Sequence, residues 1–467
     1  MSDTHTDLLI VGAGPAGMVA AVTARRHGLT VRVVDDQPAP GGQIWRAIET
    51  VAATPRLGRL GEAYRAGLDR TAAFRACGGI YEAQSQLWQI EPGFRAFVTR
   101  DGRARSFTAS QVILATGAQE RPVPFPGWTL PGVLTVGAAQ ILLKTADSIP
   151  EKPAWIAGCG PLPLLYMTQL LAAGGKIAGF LDTTPPGRLG SALRHLPQAV
   201  ARLGDLAKGL SWSWALRRAG FPIIRHVTEL RAEGKDKLQR LRYRTSAGSE
   251  GEVAAELLLV HEGIVPNIHP ALALGCAVTW NASQQCPVPV LDGWGETTLA
   301  GVFVAGDSAG IAGAEAAEPR GRLAALRVAV KLGKLDDHAA ETSAGAERGL
   351  LARALALRPF LDALYAPRAQ VFAPADETLV CRCEEVTAGE LRARAQQGRP
   401  GANQLKAFTR AGMGPCQGRQ CAATLMQIIA ATQKRPIEEV EGYRVRPPLK
   451  PVTLGELASL DMQEPAA

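Results

Sequence analysis

Short apolar runs, each followed by a glycine-rich turn and a helical segment, recur along most of the chain. The runs span residues 8–11, 31–34, 112–115, 154–157, 177–181, 257–260 and 302–305. This alternation predicts parallel strands joined by helices, which is the architecture of a doubly wound α/β sheet. The longest apolar region, 162–181, is interrupted by Gln169, Gly174, Gly175 and Lys176, so it predicts a buried helix and a strand and not a membrane span.

Two nucleotide-type folds begin along the chain, at Gly12 and Gly158, and the second is inserted into the first. The segment LAGVFVAGDSAG at 299–310 marks the return to the first fold. We predict a first nucleotide-binding domain over 1–150 and 265–335, an inserted domain over 151–264, a helical linker over 336–373, a cysteine-bearing domain over 374–435 and an extended C-terminal arm over 436–467. The arm is rich in proline and has no pattern of a packed domain, so we expect it to lie on another surface.

The cysteine-bearing domain shows three helix signals. Thr387 and Glu390 form a capping-box pattern, which predicts a helix from Thr387 to Gly398. Asn403 is the expected cap of a second helix that ends at Gly412, and a third helix follows Cys421. The domain is therefore expected to be a small three-helix module with its cysteines on the turns.

Composition and charge exclude several classes of protein. With 467 residues, 46% of them hydrophobic, 50 glycines and 32 prolines, the chain fits a loop-rich α/β protein of two or three domains. Its net charge is +8, but the basic residues are dispersed among 43 acidic ones, so we expect no nucleic-acid partner. The first apolar run is too short for a secretion signal, so we expect a cytoplasmic protein without transmembrane segments. Peripheral attachment to the inner face of the membrane stays open.

The sequence VGAGPAG at 11–17 is a nucleotide-binding signature. Gly12, Gly14 and Gly17, with Pro15 and Ala16 between the last two, follow an apolar strand and open a helix. Such glycines allow a tight turn, the close approach of a pyrophosphate and close helix packing, while the helix N-terminus attracts the phosphates.

Two acids follow at the end of the next strand. Asp35 stands 23 residues after Gly12 (35 minus 12), where a carboxylate can accept hydrogen bonds from ribose hydroxyls. Asp36 is the alternative acceptor.

The second signature, GCGPLP at 158–163, departs from the glycine pattern of an intact nucleotide-binding motif. Pro163 takes the position of the third glycine, and neither Pro161 nor Pro163 can donate an amide hydrogen bond. We therefore expect weak use of NAD(P)H. Asp182 lies 24 residues after Gly158 (182 minus 158), so an adenosine half-site remains open.

Of the eight cysteines, four are scattered and four form a pattern. The pattern is a CxC pair, Cys381 and Cys383, followed after 32 residues (384–415) by a CxxxxC pair, Cys416 and Cys421. Four thiolates from two short turns can converge on one tetrahedral-thiolate or [2Fe-2S] site. A structural zinc site is the alternative, but zinc usually binds CxxC knuckles, so we favour the cluster.

Three further segments, GGQIWR at 41–46, ILATGA at 113–118 and VAGD at 304–307, resemble those that surround FAD in two-dinucleotide-domain flavoproteins of the glutathione-reductase type. The resemblance covers about residues 7–335. It implies Gly42 and Gln43 near the flavin, Thr116 and Gly117 beside the adenosine and pyrophosphate, and Gly306 and Asp307 in the turn at the ribityl chain. No CxxC or CxxxxC pair occurs before residue 380, so disulfide reduction is disfavoured.

The segments CRCEEVT and TRAGMGPCQGRQC resemble the bacterioferritin-associated-ferredoxin-like (BFD-like) [2Fe-2S] domain. This resemblance implies that Cys381, Cys383, Cys416 and Cys421 are the cluster ligands. The expected fold is thus two nested Rossmann-like dinucleotide-binding domains of the α/β class plus a small all-α BFD-like domain.

The complete order of motifs, ending in RPPLKP, resembles the FAD subunit of heteromeric amine dehydrogenases: opine oxidases, hydroxyproline dehydrogenases and hydrogen cyanide synthase. The resemblance implies an oxidoreductase subunit with FAD and [2Fe-2S] that transfers electrons, while a second, amine-oxidising flavoprotein subunit oxidises an opine, hydroxyproline or a similar amino acid. A second flavin such as FMN at a subunit interface stays open. The sequence names neither the amine nor the electron acceptor, and it indicates no catalytic residue.

Two other functions stay open at this point. One is a self-sufficient NAD(P)H-dependent flavin oxidoreductase. The other is a non-catalytic binding subunit whose cysteine-bearing domain is stabilised by a structural zinc ion.

Overall fold

A computed structural model of the chain describes residues 5–460. Residues 1–4 of the predicted first domain and residues 461–467 of the predicted arm lie outside the described range.

The strands and helices of the described range alternate in the first two thirds of the chain, and helices predominate in the last third. The strands are β1 (His5–Val11), β2 (Val31–Val34), β3 (Ile80–Glu82), β4 (Gln86–Glu91), β5 (Arg95–Arg100), β6 (Arg103–Leu114), β7 (Ala118–Glu120), β8 (Val133–Thr135), β9 (Ala154–Cys159), β10 (Ile177–Asp182), β11 (Ile223–Arg225), β12 (Val227–Glu233), β13 (Arg240–Thr245), β14 (Glu250–Ala254), β15 (Leu258–Glu262), β16 (Ile264–Pro266), β17 (Val278–Asn281), β18 (Cys286–Pro289), β19 (Val302–Val304), β20 (Leu379–Cys381) and β21 (Val386–Thr387). The helices are α1 (Pro15–Arg26), α2 (Ile48–Val51), α3 (Arg56–Leu60), α4 (Glu62–Arg65), α5 (Gly67–Ala76), α6 (Val136–Ala146), α7 (Pro161–Ala172), α8 (Arg188–Leu193), α9 (Leu196–Ala199), α10 (Leu203–Arg218), α11 (His269–Ala273), α12 (Ala314–Lys331), α13 (Asp337–Leu355), α14 (Arg358–Leu364), α15 (Ala388–Ala395), α16 (Ala402–Thr409), α17 (Ala422–Gln433) and α18 (Leu454–Ala458).

The predicted strands are confirmed. Each of the seven apolar runs contributes to a strand, namely β1, β2, β6, β9, β10, β15 and β19. The longest apolar region divides into helix α7 and strand β10, as its polar interruptions indicate. Within residues 5–460, no helix is long and apolar enough to cross a membrane.

The first sheet has the order β3-β2-β1-β6-β5-β4, and β19 pairs with β6. Strands β3, β2, β1, β6 and β19 are parallel, with Leu8 opposite Val31 on one side and Gln111 on the other. Helices α1 and α12 pack on this sheet. They can approach each other closely because residue 321 is a glycine: a Cβ atom there would lie only 2.3 Å from the carbonyl oxygen of Ala16. The carboxyl ends of parallel strands form one edge, which is where open α/β sheets bind ligands.

The second sheet is entirely parallel, in the order β11-β10-β9-β15-β8. It includes β8, and the buried side of α6 packs in its core through Val136, Ala139 and Leu143. The second fold therefore takes up chain before residue 150, where we placed the domain boundary. Strand β8 has three residues and Leu134 is exposed, so it has no apolar run that could mark it in the sequence.

The cysteine-bearing segment forms three helices, α15, α16 and α17, around its own hydrophobic core. Helix α15 begins with the predicted capping box of Thr387 and Glu390, although it ends at Ala395 and not at Gly398. The prediction for Asn403 is wrong. Gly401 occupies the cap position of α16, and the Asn403 side chain binds the backbone of the C-terminal arm instead.

The arm runs back from the cysteine domain onto the first sheet. The Leu449 amide donates to the carbonyl of Trp88 over 2.7 Å, and the hydroxyl of Ser459 accepts from the Ala104 amide over 2.8 Å. The surface that the arm covers therefore belongs to the same chain.

Candidate functional site

The turn after β1 is built for close backbone approach. Gly12 has a φ of +105°, and a side chain there would meet the Ala115 carbonyl oxygen at 2.4 Å. A side chain on Gly17 would meet the Gly12 carbonyl oxygen at 1.9 Å. Both glycines are therefore required by the packing of the turn against its own helix and the neighbouring strand.

Gly14 is different, because the protein leaves the space beside it open. Its backbone is extended, and an added Cβ would have the Gly42 Cα, at 3.8 Å, as its nearest neighbour. Gly14 is also the N-cap of α1 and has no capping side chain, so the first amides of the helix are available to a ligand. An open cradle at a helix N-terminus, closed on the far side by Gly42, fits a pyrophosphate.

Asp35 is buried, and its carboxylate accepts hydrogen bonds from the amides of Ala13 and Gln37 over 2.5 and 2.7 Å. Burial raises the pKa of Asp35, against the effect of these two amides. The exposed carboxylate of Asp36 pairs with the ammonium of Lys450. Asp35 thus holds the phosphate turn in place in addition to its predicted role toward ribose.

The other predicted flavin segments reach the same sheet edge. Thr116 and Gly117 lie just beyond the end of β6, and the Thr116 hydroxyl donates to the carbonyl of Asn267 over 2.7 Å. Gly306 follows β19 and comes so close to α1 that an added Cβ would lie 3.0 Å from the Cβ of Ala16. Asp307 uses one carboxylate oxygen to accept the amides of Ala312 and Gly313.

Gln43 is exposed, and its side-chain oxygen accepts from Arg46 over 3.0 Å. Its backbone carbonyl, with that of Ile44, accepts from the ammonium of Lys144 over 3.1 and 3.2 Å. Burial and the nearby Arg46 lower the pKa of Lys144 to about 8. No sequence motif predicts a role for Lys144, which is a charged residue on the buried face of α6.

The four patterned cysteines come together in two pairs. Cys421 lies beside Cys381, and Cys416 lies beside Cys383. Each residue of the CxC turn therefore meets one residue of the CxxxxC turn.

This arrangement suits a metal cluster with more than one iron. Two pairs of thiolates are the donor set that a [2Fe-2S] cluster uses, two for each iron. The thiol of Cys421 lowers the pKa of Cys381 to about 6 against the effect of burial, helped by backbone amides that include Gly412, whose nitrogen is 3.4 Å from the sulfur.

The cysteine loop lies directly against the first domain. Gln119 lies two residues after Gly117 along the chain, and its side chain donates to the carbonyl of Arg419 over 2.9 Å. His269 Nε2 lies 3.1 Å from the carbonyl of Gln417. Burial lowers the pKa of His269 to about 4, so its ring is neutral at physiological pH and donates to that carbonyl. The loop between Cys416 and Cys421 is therefore bound to the segment that follows Thr116 and Gly117.

The linker lies against one residue of the second nucleotide turn. The sulfur of Cys159, the second residue of GCGPLP, lies 3.7 Å from the carbonyl oxygen of Tyr365. Pro163 is buried in the first turn of α7. A cavity of about 900 Å³ remains beside this region, between the second sheet, the linker and the turn after Gly306.

Sequence reasoning missed three residues that hold distant parts of the chain together near the two sites. Gln119 and His269 carry no motif, and Lys450 lies in a segment with no packed pattern. Their roles depend on contacts between parts of the chain that are far apart in sequence, for which a single sequence has no signal.

Comparison with known proteins finds two family matches along the chain. Residues 6–163 match the pyridine nucleotide-disulphide oxidoreductase family, and residues 379–431 match the BFD-like [2Fe-2S] binding domain. The chain is 44% identical to the A subunit of opine oxidase from Agrobacterium tumefaciens, over 98% of this chain and 92% of that protein. It is 32% identical to the HcnB subunit of hydrogen cyanide synthase from Pseudomonas aeruginosa, over 97% of this chain and 98% of that protein.

Among solved structures, the chain is similar to L-proline dehydrogenase from P. horikoshii, with a TM-score of 0.72 at 20% identity over 97% of this chain and 79% of that chain. At this identity the likeness concerns the fold. The cofactors of the chain are FAD, from its flavoprotein fold, and a [2Fe-2S] cluster, from its BFD-like domain.

Proposed function

Because the chain belongs to the family of opine oxidase A subunits and is also similar to the HcnB subunit of hydrogen cyanide synthase, we propose that it is the electron-transfer subunit of a heteromeric amine-oxidising enzyme. It is an oxidoreductase subunit with FAD and [2Fe-2S]. When bound, FAD can exchange electrons in pairs or singly, and the cluster exchanges them singly.

The residues that would hold FAD lie along one sheet edge. We assign the pyrophosphate to the turn of Gly12, Gly14 and Gly17 with the N-terminus of α1 and to Gly42 opposite. Asp35 and Asp36 would face the ribose, and the other carboxylate oxygen of Asp307 would face the ribityl chain. Thr116, Gly117, Gln43 and Gly306 complete the set.

The cluster would be held by Cys381, Cys383, Cys416 and Cys421. Their pairing across two turns matches the donor set of such a cluster, two thiolates for each iron.

One observation carries the proposal. The loop between Cys416 and Cys421 is hydrogen-bonded to Gln119 and His269, so the cluster site and the flavin segment at Thr116 form one continuous surface. A chain that only bound a partner would not need its metal loop fixed against its flavin site. The contact supports transfer of electrons between the two.

The other parts of the enzyme follow from the same logic. We propose that a second flavoprotein subunit oxidises the amine, and that its substrate is a secondary amine or imino acid such as an opine, hydroxyproline or glycine. An FMN at the interface between the subunits would fit this arrangement. This chain would then pass the electrons to a further acceptor.

Cofactor analysis of the purified chain tests the proposal. We expect one FAD, two irons and two acid-labile sulfides per chain, with an electron paramagnetic resonance signal of a [2Fe-2S] cluster after reduction by dithionite. Stoichiometric zinc without iron would overturn the assignment in favour of a zinc-stapled subunit.

A further inference from the structure

A tyrosine of the C-terminal arm enters the cysteine domain beside the predicted cluster ligands. Tyr443 is 7% exposed and belongs to the hydrophobic core of that domain, although it lies beyond residues 379–431, which match the BFD-like family. Its hydroxyl oxygen is 3.9 Å from the sulfur of Cys421.

Two glycines make room for the ring. A Cβ on Gly412 would lie 2.5 Å from the tip of the Tyr443 ring, and a Cβ on Gly418 would lie 2.4 Å from its edge. Both glycines have positive φ, +84° and +82°. The two glycines lie on either side of Cys416 in the segment GMGPCQG, so the ring packs directly against the cysteine loop.

The arm is fixed on both sides of Tyr443 by one side chain. Asn403 donates from its amide nitrogen to the carbonyl of Gly442 over 3.1 Å, and its amide oxygen accepts from the backbone of Arg444 over 2.9 Å. This clamp limits the backbone positions of Tyr443, and the cation of Lys406 lies 5.6 Å from the ring centroid. The hydroxyl is thus held toward Cys421 by contacts on three sides.

We infer that Tyr443 is a positioning residue that donates a hydrogen bond to the sulfur of Cys421 and thereby raises the reduction potential of the cluster. The inference rests on the proposed function, because it requires Cys421 to be a ligand. Phenols keep their proton at neutral pH, so the hydroxyl is a donor. A hydrogen bond to a ligand sulfur stabilises the reduced, more negative cluster, and such bonds are one of the means by which proteins set cluster potentials.

The test is a redox titration of the purified chain followed by electron paramagnetic resonance, comparing wild type with Tyr443→Phe. Phenylalanine keeps the ring between the two glycines and removes only the hydroxyl. We expect unchanged iron and sulfide content and a lower cluster potential. Tyr81→Phe is the matched control, because the hydroxyl of this half-buried tyrosine of the first domain has no hydrogen-bond partner among the described residues. It should leave the cluster potential unchanged.

A second variant keeps the inference testable by another route. Asn403→Ala retains the hydroxyl but removes the clamp, so it should also lower the potential, by less than Tyr443→Phe. An intact cluster with unchanged or higher potential in Tyr443→Phe would overturn the inference while leaving the proposed function in place. A wild-type chain that holds zinc and no iron would overturn both.

Discussion

Arg368 of the linker and Glu262 at the end of β15 form an ion pair of 2.8 Å whose side chains are 3% and 0% exposed. The pair fixes the linker on the second sheet next to Cys159, whose sulfur also lies close to the Tyr365 carbonyl. Because breaking a buried pair leaves an uncompensated charge, the linker is held firmly in this position. Its backbone therefore lies against Cys159, in the turn at which an intact nucleotide fold would receive a pyrophosphate.

We predict that millimolar NADH does not rapidly reduce the flavin of the isolated chain. Pro163 removes one amide donor, and losing one charge-assisted phosphate bond costs roughly 1.5–3 kcal/mol, or about ten- to a hundredfold in affinity. Anaerobic stopped-flow absorbance measures the rate, with dithionite as the positive control. The variant Pro163→Gly should bind the nucleotide more tightly than the wild type. Fast stoichiometric reduction of the wild-type flavin by NADH would contradict the prediction and favour a self-sufficient NAD(P)H oxidoreductase.

Gly14→Val should expel FAD and leave the fold intact, because its nearest neighbour is 3.8 Å from the added Cβ and the open space is the predicted phosphate cradle. Flavin content and circular dichroism report the two effects. Gly209→Val, at a position in α10 with nothing within 4 Å, is the control for a new valine side chain and should retain FAD. Full flavin content in Gly14→Val would contradict the assignment of this turn.

Cys381→Ser should remove iron and sulfide but retain FAD, because the cysteine domain has a hydrophobic core of its own. Metal, sulfide and flavin analyses of one preparation decide the result. Cys77→Ser, at a single half-buried cysteine of the first domain, should retain both cofactors. Joint loss of FAD and iron in Cys381→Ser would show that the two sites do not fold independently.

Lys144 predicts a specific pH dependence of stability. Its pKa falls from 10.5 to about 8, first through burial and then through Arg46, so between these values the unfolded chain binds the proton that the folded chain has lost. The free energy of unfolding should therefore rise with pH in this window, by about 3 kcal/mol for this residue. Urea denaturation of wild type and Lys144→Met at pH 7.5 and 10.5 isolates the effect. If the difference between the two proteins does not change with pH, the folded-state pKa of Lys144 is not lowered.

The sequence predicts the parts of this structure that depend on local patterns. The apolar runs mark the strands, and the spacings of Gly12, Gly14 and Gly17 and of the four cysteines mark the chemistry. The capping box at Thr387 likewise concerns residues three positions apart. Each of these features depends on residues that are close together in the sequence, so the sequence alone is enough to predict it.

The parts that escaped prediction depend on tertiary contacts. Asn403 has the residue type of a helix cap, but its amide binds residues 442 and 444 of the arm. Strand β8 is recognisable through its pairing with β15, which is more than a hundred residues away. The contact of Gln119 with Arg419 is of the same kind and separates its partners by 300 positions.

Amine-dependent reduction of an artificial electron acceptor tests the central claim most directly. The isolated chain, loaded with FAD and cluster, is assayed with opines, hydroxyproline and glycine, alone and after addition of a second flavoprotein subunit. We predict negligible turnover by the isolated chain and substantial turnover by the assembled enzyme, because in the proposed arrangement this chain carries electrons and a partner subunit oxidises the amine. Turnover by the isolated chain comparable to that of the complex would place the amine-oxidising site in this chain and contradict the account.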